Sequence, residues 1–376
     1  MTSRERYKRT LLFKEVDKVP FQPGGPREST LKRWREEGLP EGRDWFSHLC
    51  DLLGIELEKP QKPIVNLKIS FEPIPPFEEK VLERRGNHLI VQDYKGAIVE
   101  IEDKYDFSYL RYAKDFVTRK WHKFPVENED DWKEMKRRFN PQSPERYDED
   151  LEIKGDILKD RDWVLTISIP GPFWQMRDWC GLEKLCLLMI EKPAFVREMS
   201  DFWREFVSTI LKKYVDKISF DAVIINEDMA YKGKSMISPS MVREFLFPCW
   251  REWSELLRNS GCEIIILDSD GYIGELIPIW IEAGINCTIP LEIAAGNDPV
   301  ELRKKFGKNI AFIGGIDKRK IAKGGKELEE ELVRSVPFML NYGGYIPTCD
   351  HAVPPDVSWE NFLYYSRILA KLTGWL

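Results

Sequence analysis

The run Ile264-Ile265-Ile266-Leu267-Asp268-Ser269-Asp270-Gly271 constrains the fold more than any other stretch of the chain. Continuous β-branched residues without polar alternation mark a strand buried on both faces, and such strands belong to parallel sheets covered by helices. The two carboxylates closing the run fall at the strand's carboxyl end, which is the catalytic face of a (β/α)8 barrel. The same unit recurs to the C-terminus, with strands expected over residues 164–169, 222–225, 263–267, 286–289, 310–313 and 344–346. Between them, Phe195, Met199, Phe202, Phe206, Ile210 and Tyr214 recur every three to four residues behind Pro193, a first-turn proline. Those aromatics are read as helix-to-sheet packing. Right-handed crossovers then close the sheet, so the expected fold class is α/β: a single (β/α)8 TIM barrel, one domain over residues 1–376. A doubly wound open sheet is the structural alternative, but no G-x-G-x-x-G follows any strand.

Before the repeating unit, Val19-Pro20-Phe21 leads into Gln22-Pro23-Gly24-Gly25-Pro26-Arg27, read as the first strand-to-helix loop. Helices are expected over 29–37 and 45–53. Residues 66–117 alternate in short segments punctuated by Gly86-Asn87 and Lys95-Gly96, which are hairpin signals. This is an early antiparallel β insertion. Charged helices follow over about 130–159.

A chain of 376 residues, 43% hydrophobic and 32% charged, suits a barrel with insertions. Its net charge of −6 and interspersed basic residues argue against nucleic acid as a partner. No apolar run reaches the roughly 20 residues of a membrane span, and Met1-Thr2-Ser3-Arg4-Glu5-Arg6 leads into no signal-type core, so a cytoplasmic location is expected. Seven cysteines without a CxxC pair read as reduced, mostly buried thiols.

The strand ends carry the candidate chemistry: Trp174 and Arg177 in Gly171-Pro172-Phe173-Trp174-Gln175-Met176-Arg177, then Glu227 and Asp228, Asp268 and Asp270, Glu292, and His351 in Thr348-Cys349-Asp350-His351. In a barrel these loops open on one face. Any single carboxylate there has about even odds of being a helix cap or an ion-pair partner; Asp317 reads as a cap, and Glu227 or Asp228 as a partner for Arg177 or Lys232. Convergence of Asp, Asp, Glu and His is what a cap does not require. Gly314-Gly315 has the form of a barrel phosphate loop and equally of ordinary turn chemistry. Cys349 reads as a buried, inert thiol sooner than as a nucleophile.

Four stretches, Gly171-Pro172-Phe173-Trp174, Leu276-Ile277-Pro278-Ile279-Trp280-Ile281-Glu282-Ala283-Gly284, Gly314-Gly315-Ile316-Asp317 and residues 343–356 around Thr348-Cys349-Asp350-His351, resemble the uroporphyrinogen decarboxylase family in its broad sense. That family also holds corrinoid-dependent methyltransferases and is distantly related to cobalamin-independent methionine synthase. The resemblance implies the barrel and leaves the reaction open, because the members do different chemistry. A decarboxylase carries two arginines and an aspartate in and after its first loop. Here Arg27 lies near the second arginine, Pro23 stands near the first, and residues 52–69 supply no aspartate, although His351 fits the late histidine. The methyltransferases bind zinc through His-x-Cys, sometimes a glutamate, and a late cysteine. Asp268 and Asp270 fall at the His-x-Cys positions, Glu292 at about the glutamate's spacing, and His351 at the late cysteine. Such an oxygen-rich set suits a harder divalent ion better than a thiolate-type zinc, or no metal and a substrate with N–H groups.

The resemblance thus implies an enzyme transferring a methyl or other one-carbon group, linked to a corrinoid or tetrahydrofolate. Glu227, Asp228 and His351 are its catalytic candidates, and Arg27, Trp174, Arg177, Asp268, Asp270 and Glu292 its substrate-binding ones. If a divalent metal (zinc or a harder ion) is present, Asp268, Asp270, Glu292 and His351 are its ligands. The partners implied are a small-molecule substrate, a small corrinoid protein and a second copy of the chain. The alternatives are a tetrapyrrole carboxy-lyase, namely uroporphyrinogen decarboxylase itself, and a non-catalytic corrinoid- or tetrapyrrole-binding module.

Overall fold

A computed structural model describes residues Met1–Leu376. Strands β1 (Lys80–Arg85), β2 (His88–Gln92), β3 (Ile98–Glu102) and β4 (Lys120–Lys123) form an antiparallel sheet in that order. Strands β5 (Thr166–Pro170), β6 (Ala222–Asn226), β9 (Ile264–Asp268), β10 (Cys287–Leu291), β11 (Ala311–Ile316) and β12 (Tyr345–Cys349) form a parallel sheet of six, with each strand beside its predecessor. The pair β7 (Ala230–Tyr231) and β8 (Lys234–Ser235) is a small hairpin after β6. No helix is long and apolar enough to cross a membrane.

Each parallel strand sits within one to three residues of its expected place. Alternation along β9 divides its side chains between two cores. Ile265 and Leu267 join the large core shared with the helices, and Ile264 and Ile266 face a smaller cluster containing Tyr7 and Leu11 of helix Ser3–Leu11. The helix behind Pro193 runs over Pro193–Val215 and buries Phe195, Met199, Phe206, Ile210 and Tyr214 as its spacing requires.

The hydrogen-bonded sheet has six strands where a barrel would have eight. Val19-Pro20-Phe21 forms no strand, because Pro20, Pro23 and Pro26 lack the amides a ladder uses. What remains beside β12 is one parallel bridge, Pro26 to Val353, with Val353 donating to the Gly25 carbonyl at 2.8 Å. The insertion ends later than expected, since β4 lies beyond residue 117. A second core joins helices Glu28–Glu36 and Trp45–Leu53 to Gly325–Tyr342 and Trp359–Thr373, packing the two ends of the chain together around Trp34.

Helix Ser3–Leu11 covers the amino ends of the parallel strands, and Phe13 beyond it packs on the turn before β12. Gly344 in that turn has φ +64°, and a Cβ there would lie 2.2 Å from the Phe13 ring. Gly344→Ala should therefore destabilise the protein by about 1–3 kcal/mol through overpacking, with further strain from the positive φ. Urea unfolding measures it; an unchanged midpoint would show that the Phe13 contact is dispensable.

Candidate functional site

The register of the sheet builds the site. Pro170, Asn226, Asp268 and Ile289 are paired in one row across β5, β6, β9 and β10, and all four line a cavity of about 620 Å³ at the carboxyl ends of the strands. Glu227, Asp228, Asp270 and His351 follow those ends into the same cavity, with Trp174 on its wall.

Glu227 is fully buried beneath this floor. One carboxyl oxygen accepts the amides of Phe173 and Trp174 at 3.0 and 3.1 Å, and the other accepts Trp250 Nε1 at 2.6 Å. The carboxyl thus caps the amino end of helix Pro172–Cys180, where backbone N–H groups favour negative charge. The approach demands glycine at 171, where a Cβ would fall 2.1 Å from the Glu227 carboxyl carbon. Burial pushes the Glu227 pKa up, to about 8, against the pull of the three N–H donors. With both oxygens engaged, Glu227 lines the cavity as a fixed support.

Asp228 takes a left-handed backbone, φ +46°, which costs a non-glycine residue energy and is commonest at functional turns. Its Oδ1 accepts the Asp270 amide at 3.2 Å, and burial, then the Asp270 charge, raises its pKa. Arg177 binds the Asp228 carbonyl at 2.7 Å and lies over the Trp174 ring, so it is the partner of this turn.

Asp268 is half-buried and its carboxyl has no hydrogen-bond donor. Burial, and then the carboxylates of Asp228 and Asp270, push its pKa up to about 7. Asp270 is held by His351, whose Nε2 lies 3.2 Å from Asp270 Oδ2. The other ring nitrogen, Nδ1, receives the Ala352 amide at 2.7 Å and the Arg27 guanidinium at 3.3 Å. Two donors on Nδ1 require a lone pair there, so the ring proton belongs on Nε2, facing Asp270. The hydrogen bond to Asp270 raises the His351 pKa, and the donors at Nδ1 oppose a second proton.

Glu292 does not join this group. Its Oε2 accepts the Gly271 amide at 3.0 Å and its Oε1 lies 3.6 Å from Lys318 Nζ. The expected set of four metal ligands is therefore not assembled, and no group of three or more His, Cys, Asp or Glu side chains is arranged to hold an ion. Arg27 reaches the site only through His351 and lies over the Phe116 ring. Asp317 caps helix Lys318–Lys323 as expected, accepting the Arg319 amide at 2.9 Å. Gly314-Gly315 is buried packing within β11: a Cβ on Gly314 would meet the Leu291 amide at 2.6 Å. Cys349 is buried and its thiol pushed up to about 12 by burial, so it is inert.

Three residues were missed. Glu72 and Lys95 line the cavity from the insertion's side, and no local pattern marks either, since Lys95-Gly96 reads only as a turn. Asp350, fully buried with its pKa pushed up to about 6 by burial, accepts the amides of Ile293 and Lys318 and ties together the loops after β10 and β11.

The raised pKa of Asp268 is a statement about stability. Between its ordinary value near 4 and about 7 the folded protein retains a proton that the unfolded chain has lost, so stability falls as pH rises through that window. Asp268→Asn should therefore melt a few degrees above the parent at pH 8, at about 2–4 °C per kcal/mol, and the gap should vanish toward pH 4. A pH-independent gap in calorimetry would contradict the assigned burden on Asp268.

No protein-family model matches the chain, and no curated protein matches it. Among solved structures, a methyltransferase from Methanosarcina mazei is similar at 14% identity and a TM-score of 0.54, over 98% of each chain, so the two share a fold along their whole lengths. A candidate vitamin-B12-independent methionine synthase from Listeria monocytogenes aligns over 60% of this chain and 67% of its own, at 9% identity and a TM-score of 0.32.

Proposed function

We propose that this chain is an enzyme transferring a methyl or other one-carbon group, built on a (β/α)8 barrel of the uroporphyrinogen decarboxylase family taken broadly. Curvature of the sheet supports the barrel. The Arg4 amide binds the Asp162 carbonyl ahead of β5, while Phe13 packs on Gly344 ahead of β12. The helix between them spans roughly 14 Å at 1.5 Å per residue, whereas six strands laid flat would put their edges about 24 Å apart. A sheet so curved brings its two edges toward each other, and the segment around Gly24 to Pro26 extends the edge at β12.

The observation that carries the chemistry is Asp268: half-buried, without a hydrogen-bond partner, and with a pKa near neutrality at the floor of the cavity. A group poised in this way gives and takes protons most effectively near pH 7. As the methyl group passes to an acceptor's electron pair, the leaving atom keeps the electrons of the broken bond and takes the proton of Asp268. Asp270, oriented by His351 Nε2–H, and Asp228 receive the substrate's N–H groups or positive charge. Proton transfer thus falls to Asp268 and not to Glu227 or Asp228, the carboxylates that the sequence offers as catalytic candidates. A corrinoid carried on a small partner protein, or tetrahydrofolate, is the proposed one-carbon carrier.

The divalent ion that the resemblance implies does not fit these side chains: no three of them are arranged to hold one, Glu292 is paired with Gly271 and Lys318, and His351 Nε2 carries the ring proton, so no step here runs through a metal.

Purified protein given methylated amines, ethers or thiols with cob(I)alamin or tetrahydrofolate should form the methylated carrier, followed by absorbance or mass spectrometry. Asp268→Asn should lower kcat about 10²–10⁴-fold while retaining substrate binding. Coproporphyrinogen formed from uroporphyrinogen would establish the lyase instead, and tight corrinoid binding without turnover of any donor would establish the binding module.

A further inference from the structure

The antiparallel insertion is folded as a unit of its own. Val91, Ala97, Val99, Ile101 and Leu110 form a separate small core, whereas the stems on either side are rooted in the large one by Phe71 and Val126. Between these roots the unit places Lys95 on the cavity and meets the rest of the chain at two separate sites. At one, Lys95 Nζ lies 2.6 Å from Asp178 Oδ2 on helix Pro172–Cys180. At the other, the Glu28 amide donates to the Lys114 carbonyl at 3.2 Å and the Ser29 amide to Asp115 Oδ2 at 2.9 Å, next to the Arg27 that touches His351. These supports are polar, in contrast to the apolar interior of the unit. A body with its own core, apolar roots and polar rests is one that moves whole.

We propose that residues 78–123 form a lid over the carboxylate cavity, latched by the Lys95–Asp178 ion pair, and that substrate enters when the lid lifts. Lys95 is the face of the closed lid toward the ligand, and Glu72 lines the cavity from the fixed stem beside it. Burial works against the charge of Lys95, and the carboxylates of Asp178 and Glu72 more than offset it, so the latch is ionised when shut. A closed lid excludes water from the floor where Asp268 works. This inference concerns access and does not depend on which reaction the floor performs.

Residue-resolved hydrogen exchange on the full chain tests it. The amides of Glu28 and Ser29 report opening directly, because their acceptors sit on the lid. In Lys95→Met both should exchange about tenfold faster, the loss expected for a partly buried ion pair worth about 1.4 kcal/mol. Protection within the lid, at Val91, Val99 and Ile101, should be unchanged, and Lys95→Arg should behave as the parent. Unchanged exchange at Glu28 and Ser29 would overturn the latch. Loss of protection inside the lid together with them would show local unfolding in place of a rigid lid, and would equally overturn it.

Discussion

The carboxyl end of the sheet is held in shape by one side chain with no exposed surface, that of Glu227. Its two oxygens join the amides at the start of helix Pro172–Cys180 to Trp250 in helix Phe247–Asn259, so two consecutive crossovers meet at one carboxyl group. Removing it would leave three buried N–H groups without acceptors, a cost of about 1–3 kcal/mol each. Gly171 exists to let that carboxyl approach. Once Glu227 is fixed, Asp228 must turn through a left-handed conformation, and its carboxylate is carried toward Asp268 and Asp270.

That placement sets the electrostatics of the cavity. Asp228, Asp268 and Asp270 crowd together at one end of the lining, and the only fixed cation lining the cavity is Lys95, which is spent on Asp178. Desolvated like charges either keep a proton or wait for a positive or N–H-bearing ligand. Asp270 and Asp228 are each partly relieved, one by His351 and the other by the Asp270 amide, which leaves the burden on Asp268. The group least supported by its neighbours is therefore the one tuned near neutrality. Instability of this kind at a floor that is otherwise well packed is what chemistry at such a site requires.

The antiparallel insertion completes the enclosure. Its hairpin between β2 and β3 is stabilised locally, with Asp93 accepting the amides of Lys95 and Ala97, and this fixes the turn that aims Lys95 at the cavity. The parallel sheet thus supplies the floor and the insertion the roof, the insertion's last strand ending at Lys123 and the sheet's first beginning at Thr166.

The sequence by itself determined the parallel strands and their order, because continuous β-branched runs followed by helical periodicity admit few alternatives. Asp228, Asp268, Asp270 and His351 were legible as a group for the same reason, since each closes such a run and parallel strands end on one face. Sequence also disclosed the insertion, through its alternation and its Gly86-Asn87 and Lys95-Gly96 turns. It could not separate Glu227 from Asp228, adjacent carboxylates with opposite fates, because which of them turns inward depends on the approach of helix Pro172–Cys180 and Trp250. Nor could it show that Glu292 is drawn away by Lys318 and the Gly271 amide, or that Val19-Pro20-Phe21 forms no strand once Pro20, Pro23 and Pro26 withhold their amides. The role of Lys95 was decided by tertiary structure alone: a turn is a local property, and what the turn covers is set by how two separately folded cores come to rest on one another.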